Sequence, residues 1–190
     1  MKYPSNDITG FILAGGKSRR MGSDKGLLNY NGRPMVQYSI DLLSEFCSRI
    51  IISTSNPAYN VFGVETIPDI LPDIGPMGGI YSCLKASKTS MNICLPCDIP
   101  HMDRSILEYI INYADGSSCI VPCTPFPEPL VAIYPTNVIP IMEQLIHEGK
   151  YKMTGIFNLA PVKYLKAEEF PGKDTVRYFR NLNSPIDMKD

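Results

Sequence analysis

A glycine pair followed by a group of cations is the part of the sequence best suited to chemistry. Residues 11–28 read FILAGGKSRRMGSDKGLL, so an apolar run ends at Gly15 and Gly16. The cations that follow are Lys17, Arg19, Arg20 and Lys25. Glycines let backbone N–H groups approach an anion closely, and guanidinium groups match phosphate oxygens in pairs. The stretch therefore favours a phosphate site over a solvated basic turn.

The spacing of this stretch excludes two familiar glycine-rich motifs. A Walker A loop has the form G-x-x-x-x-G-K-[ST], and a loop ending at residues 16–18 would need its first glycine at position 11, which is Phe11. The dinucleotide fingerprint G-x-G-x-x-G fails because Gly15 is followed directly by Gly16. The remaining interpretation is a strand that ends in a Gly-Gly turn and is followed by a basic segment.

Composition and charge limit the class of protein. The chain has 190 residues, 44 % hydrophobic and 19 % charged, which is typical of a globular protein, and we expect residues 1–190 to form a single domain. The net charge of −1 argues against general nucleic-acid binding. The polar start, MKYPSNDITG, is not a signal peptide, and no apolar run is long enough to span a bilayer. These features predict a cytoplasmic protein without nucleic-acid or membrane partners.

The six cysteines predict neither a disulfide scaffold nor a zinc site. Cys94 and Cys97 form a C-x-x-C, but they lie in the run NICLPCDIP, which indicates the end of a strand. His101 and His147 complete no zinc pattern with them. We therefore expect buried, reduced thiols.

Short apolar runs alternate with amphipathic stretches along the chain. The predicted strands are 8–13, 49–54, 64–67, 92–97, 119–122, 130–134 and 162–166. The predicted helices are one opened by Pro34, one over 80–86 after Gly78 and Gly79, one capped by Asp103 and one over 137–147. Repeated strand–helix–strand units predict an α/β fold with three α/β/α layers, Rossmann-like, around a mostly parallel sheet.

In such sheets, ligands bind beyond the carboxyl ends of the strands. This rule points to the loop after the first strand and to three polar residues that end or follow the next strands. Those residues are Ser53, Asp69 and Asp98.

Four segments together resemble the molybdenum cofactor guanylyltransferase family of nucleotidyltransferases. They are LAGGKSRRMGSDK at 13–25, GPMGG at 75–79, LPCDIP at 95–100 and NLNSPID at 181–187, so the resemblance spans nearly the whole chain. The first loop is also similar to that of sugar-phosphate, isoprenoid-precursor and molybdopterin cytidylyl relatives. The terminal asparagines favour the guanylyl branch. Ser184 departs from the family's usual Thr, and Ser53 stands where some members have Asn.

The resemblance implies an activity and a set of site residues. It implies Mg²⁺-dependent transfer of GMP from GTP to the phosphate of molybdopterin, with release of pyrophosphate. It implies that Asp98 ligates the metal and acts in catalysis with Lys25 and Arg20. The implied nucleotide-binding residues are Leu13, Ala14, Gly15, Gly16, Lys25, Ser53, Asp69 and Gly79. Asn181 and Asn183 would face the acceptor, and the family has a proline-leucine strand beside the acceptor pocket where this chain has Glu128-Pro129-Leu130.

Several alternatives stay open. Asp69 serves equally well as the start of a turn, and Ser184-Pro185 is also an ordinary helix start. The sequence does not decide whether Arg19 or Arg20 contacts phosphate. A transferase for another base or acceptor, such as a molybdopterin cytidylyltransferase or a sugar-phosphate nucleotidyltransferase, and a non-catalytic cofactor carrier are the competing functions. The resemblance also allows docking of a GTP-binding adapter protein and of client molybdoenzymes.

Overall fold

The computed structural model describes residues 8–14, 24–172 and 175–182, and a seven-stranded sheet is at its centre. The strands are β1 (Ile8–Leu13), β2 (Asn29–Tyr30), β3 (Arg33–Pro34), β4 (Arg49–Ser53), β5 (Glu65–Ile67), β6 (Met91–Pro96), β7 (Cys119–Cys123), β8 (Ala132–Pro135) and β9 (Val162–Lys166). The sheet has the order β5-β4-β1-β6-β8-β7-β9, and β2 and β3 form a separate hairpin.

Parallel pairing brings the ends of the central strands to one edge. β1 pairs in parallel with β4 and β6, and its last residue, Leu13, lies opposite Ser53 on one side and Pro96 on the other. β4 pairs in parallel with β5, and β7 with β9. β8 runs antiparallel to both of its neighbours. The prediction of a mostly parallel sheet is confirmed, and the reversed direction of β8 is an addition to it.

Helices cover both faces of the sheet. They are α1 (Met35–Ser44), α2 (Pro76–Ala86), α3 (Arg104–Asn112), α4 (Ile139–His147), α5 (Thr154–Phe157) and α6 (Thr175–Tyr178). Successive strand residues point to opposite faces, so Ile12 packs in the core with α1 and α3 while Phe11 packs in the core with α2 and α4. The predicted three-layer α/β/α architecture is confirmed. Within the described ranges, no helix has the length and apolar character needed to cross a membrane.

Local sequence signals account for where several elements begin. Asp103 precedes α3, and its carboxylate accepts a hydrogen bond from the backbone N–H of Ser105 (2.8 Å), as expected of a helix cap. Pro140 lies in the first turn of α4, where its missing backbone N–H would have no partner within the helix. α2 begins at Pro76, so Gly78 and Gly79 lie inside the helix and do not precede it as predicted.

The β2–β3 hairpin was not among the predicted elements, although its sequence is typical of a hairpin. Asn31 and Gly32 connect the two strands with φ angles of 48° and 84°. Asn-Gly is the preferred pair for a two-residue hairpin turn in which both residues have positive φ. The hairpin directly follows the 3₁₀ turn Lys25–Leu27 and leads into α1.

The cysteines lie where the sequence predicts. Five of the six are buried, Cys123 is half-buried, and all six are free thiols. Burial raises the pKa of every one of these thiols, to about 12 for Cys47 and Cys119. A raised pKa reduces the thiolate fraction, which is the reactive form.

Thiol alkylation of the folded protein should therefore be confined at first to Cys123. At about pH 8, iodoacetamide should label Cys123 well before the buried cysteines, since the thiolate form and solvent access are both required. Peptide mass spectrometry over time measures the order, and protein unfolded in urea, where all six thiols react, is the control. Labelling of Cys94 as fast as Cys123 would contradict the described packing.

Candidate active site

A lysine and an aspartate from distant parts of the chain form an ion pair beyond the end of β6. Lys25 begins the 3₁₀ turn after residue 24, and Asp98 follows β6 by two residues. Lys25 Nζ lies 3.2 Å from Asp98 Oδ2, and the two side chains are 22 % and 13 % exposed. Partial burial strengthens such a pair by reducing solvent screening. Two of the predicted catalytic residues are thus brought together.

Backbone hydrogen bonds fix the position of Asp98. The N–H of Cys97 donates to the carbonyl of Leu13 (3.2 Å), which continues the pairing of β6 with β1 past the end of the strand. The N–H of Leu182 donates to the carbonyl of Asp98 (2.9 Å). This second bond places the segment after α6, including the predicted acceptor residue Asn181, beside the aspartate.

A second group of predicted residues gathers at the ends of β1, β4 and β5. The N–H of Ala14 donates to the carbonyl of Ser53 (3.1 Å), and the buried Ser53 hydroxyl donates to Asp69 Oδ1 (2.5 Å). Leu13 pairs directly with Ser53 in the sheet. Four residues predicted to bind a nucleotide therefore lie next to one another.

Gly79 joins this group because of a close approach by α2. A Cβ built on Gly79 would lie 2.8 Å from Ser53 Oγ and 3.0 Å from Leu13 Cδ2, both shorter than ordinary contacts. A Cβ on Gly78 would lie 2.6 Å from the carbonyl oxygen of Leu71. The glycines thus allow the first turns of α2 to pack directly against the strand ends and the loop after β5.

Four of the predicted site residues cannot be placed. Gly15, Gly16, Arg20 and Asn183 lie outside the described residues, and their roles stay predictions. Of the signature loop, the structure describes the two ends, at Ala14 and at Asp24-Lys25.

The donor set around Asp98 fits magnesium better than a metal held by protein alone. Among the described residues, no group of three or more His, Cys, Asp or Glu side chains is placed to hold a metal ion. Structural zinc and calcium sites require several protein ligands, whereas Mg²⁺ commonly binds through one or two carboxylates together with water and substrate phosphates. A partly exposed carboxylate at a strand end suits the second kind of site.

A cleft opens between the loops after β6 and β7 and the chain around α6. Its volume is about 580 Å³, and the described residues that line it are His101, Thr124, Glu128, Val176, Arg177, Phe179 and Arg180. Glu128 is half-buried and accepts a hydrogen bond from the Thr124 hydroxyl (2.5 Å), and burial raises the pKa of its carboxyl. Sequence reasoning noticed Glu128 but missed the arginines, although Arg177 and Arg180 stand just before Asn181 in the sequence.

The fold and the site together define a class of protein. A mostly parallel α/β sheet with a Lys-Asp pair beyond its strand ends, in a chain whose first strand is followed in sequence by glycines and cations, is the arrangement expected of a nucleotidyltransferase. Residues 10–162 match the model of the MobA-like NTP transferase domain, and the chain belongs to this family.

Individual relatives extend the likeness to nearly the full chain. A probable molybdenum cofactor guanylyltransferase of Flavobacterium johnsoniae is 31 % identical over 96 % of this chain and 95 % of its own length. A molybdenum cofactor guanylyltransferase of Bordetella pertussis is 30 % identical over 94 % of this chain and 98 % of its own length. The crystal structure of molybdopterin-guanine dinucleotide biosynthesis protein A from Archaeoglobus fulgidus shares the fold, with a TM-score of 0.79, 23 % identity and 95 % coverage of each chain.

Replacing Gly79 with alanine tests the close approach of α2. Gly79→Ala should lower the free energy of unfolding by about 1–3 kcal/mol, because the new methyl group must displace Ser53 or Leu13. Gly155→Ala in α5 is a matched control, since its Cβ would meet Leu145 at ordinary distances of 3.5 and 3.6 Å. The control should be neutral or stabilising by up to about 1 kcal/mol. Equal urea-unfolding curves for the two variants would contradict the described packing.

Proposed function

We propose that this protein transfers GMP from GTP to the terminal phosphate of molybdopterin and releases pyrophosphate. The observation that carries the proposal is the Lys25–Asp98 pair beside the Leu13–Ser53–Asp69 group, in a chain whose full-length relatives are named as guanylyltransferases. The pair supplies the charges that phosphoryl chemistry requires. The adjacent group supplies a surface for a nucleoside.

The nucleotide would occupy the edge formed by β1, β4 and β5. Backbone groups at Leu13 and Ala14 would face the base, while Ser53 and Asp69, joined by their hydrogen bond, would face the base or ribose. Gly79 keeps the floor of this region free of a side chain. Gly15, Gly16 and Arg20 would contact the phosphates from the signature loop.

The chemistry is a substitution at phosphorus. An oxygen of the acceptor phosphate attacks the α-phosphorus of GTP, the bond to the bridging oxygen breaks, and pyrophosphate leaves. The attacking phosphate is already anionic, so no general base is needed. Lys25 would stabilise the negative charge that builds on the phosphates in the transition state. Asp98 would hold Mg²⁺, which when bound neutralises phosphate charge and orients the substrate.

The acceptor would enter from the cleft around α6. Arg177 and Arg180 offer guanidinium groups for an anionic acceptor, and Glu128 offers a carboxyl group for the polar edge of a pterin. Asn181 lies between these arginines and Leu182, which is hydrogen-bonded to Asp98. The cleft and the nucleotide edge would therefore meet at Asp98. Adapter or client proteins would approach the same side to receive the product.

A panel of nucleotides tests the activity and the base. With Mg²⁺ and molybdopterin, GTP should give pyrophosphate and a product heavier than the acceptor by one guanylyl group (GMP less water), while ATP, CTP and UTP give far less. Mass spectrometry of the product is the measurement. Turnover with CTP and none with GTP would refute the base but keep the enzyme class. GTP binding without pyrophosphate release would instead support a non-catalytic carrier.

The Asp98→Asn variant tests the metal site. It should lower kcat by about 100-fold or more, because the amide cannot replace the carboxylate in holding a cation among phosphates. Raising the Mg²⁺ concentration should recover part of the loss. Asp103→Asn is the matched control: it removes the same charge, while asparagine still caps α3, so activity should be unchanged. Full activity in Asp98→Asn would contradict the metal assignment.

A further inference from the structure

Three donors from the described part of the chain hold the carboxylate of Asp24, the residue before the catalytic lysine. Its Oδ1 accepts hydrogen bonds from the backbone N–H of Gly26 (3.2 Å) and from the hydroxyl of Tyr59 (2.5 Å). Its Oδ2 accepts one from Nδ2 of Asn56 (3.1 Å). Asp24 is also the cap of the 3₁₀ turn that Lys25 begins. The backbone of Lys25 is therefore fixed through its predecessor.

The two side-chain donors are themselves held rigidly. Tyr59 is fully buried in the 3₁₀ turn Pro57–Phe62, and burial, together with the nearby Cys97 and its bond to Asp24, raises the pKa of its hydroxyl, which stays protonated as a donor. Asn56 caps that turn: its Oδ1 accepts from the N–H of Ala58 (3.0 Å). This bond sets the amide orientation and directs Nδ2 towards Asp24.

The lysine turn is also in close steric contact with Tyr59. A Cβ on Gly26 would lie 2.3 Å from the Tyr59 hydroxyl oxygen and 3.1 Å from Cys97 Sγ. The absence of a side chain at Gly26 thus allows the phenol to reach Asp24. Hydrogen bonds and packing together define one position for the turn, from which Lys25 Nζ reaches Asp98.

We propose that Tyr59 and Asn56 are positioning residues for the reaction, which act by anchoring Asp24 so that Lys25 points at Asp98. This inference rests on the proposed function, because it takes Lys25 as the catalytic cation. Both donors come from the connection between β4 and β5. Ser53 is the last residue of β4, and Asp69 follows β5 by two residues. One segment thereby orients the lysine and supplies part of the nucleotide edge.

The first test is a double-mutant cycle between Tyr59 and Lys25. Tyr59→Phe should lower kcat by about 10-fold or more with little change in KM for GTP, because a misplaced charge loses transition-state stabilisation. In a Lys25→Ala background the same substitution should cost nothing further. Tyr81→Phe is the control, since the hydroxyl of this tyrosine also donates to a carboxylate, that of Glu143 (2.9 Å), away from the lysine. Unchanged turnover in Tyr59→Phe, or fully additive losses, would overturn the proposal.

Asn56→Ser provides a second variant that should fold. Serine retains the capping oxygen for the turn at residue 57 but cannot reach Asp24 as the amide does. The kcat of Asn56→Ser should fall, as that of Tyr59→Phe does, again with little change in KM. Normal kcat in Asn56→Ser would remove Asn56 from the proposal.

A measurement that needs no turnover separates this inference from the proposed function. Acetylation of Lys25 by a dilute amine reagent, followed by peptide mass spectrometry, reports how firmly the lysine is held against Asp98. Lys25 should be acetylated several-fold faster in Tyr59→Phe and Asn56→Ser than in the parent or in Tyr81→Phe, because a released side chain is more accessible. If the parent shows no guanylyl transfer, the proposed function fails while this comparison still decides the positioning role. Equal acetylation rates in all four proteins would overturn it.

Discussion

The ion pair between Lys25 and Asp98 forms only if the surrounding structure holds both side chains in place. Its atoms come from positions 73 residues apart, so no local segment can build it. Each partner is partly withdrawn from water, and a partly desolvated charge is costly unless its opposite is held in place. The structure holds both: Asp98 through the backbone bonds of Cys97 and Leu182, and Lys25 through the anchored Asp24.

The direction of the strands explains why two different surfaces flank β6, the strand that Asp98 follows. β6 is parallel to β1 on one side and antiparallel to β8 on the other. On the parallel side, the carboxyl ends of β1, β4 and β5 form one edge, which carries Ser53 and Asp69. On the other side, an antiparallel strand begins where its neighbour ends, so the loop between β7 and β8 returns to that same edge. That loop carries Glu128 into the cleft, and Asp98 follows β6, the strand that separates the parallel side from the antiparallel side.

Sequence reasoning succeeded where a local pattern has a geometric consequence. The strand over 8–13 was predicted with its observed bounds, because an apolar run ends at the glycine pair. Ser53, Asp69 and Asp98 were selected because carboxyl ends of parallel strands share an edge. The reversal of β8 and the partnership of Tyr59 with Asp24 escaped prediction, since a single sequence records neither strand direction nor long-range contacts. The start of α2 at Pro76 had a local signal, proline in the first turn, which the adjacent glycines obscured.

The hydrogen bonds of Asp24 also influence which of two nearby carboxylates, Asp24 or Asp98, forms the ion pair with Lys25. Asp24 adjoins Lys25 in sequence, and an aspartate without donors would compete with Asp98 for the ammonium group. Neutral donors from Tyr59, Asn56 and the Gly26 backbone instead hydrogen-bond to Asp24. Because these donors come from other residues, the anchoring of Asp24 does not depend on the lysine side chain. The two neighbouring residues of the signature thus differ in position: Asp24 anchors the turn, and Lys25 extends to Asp98.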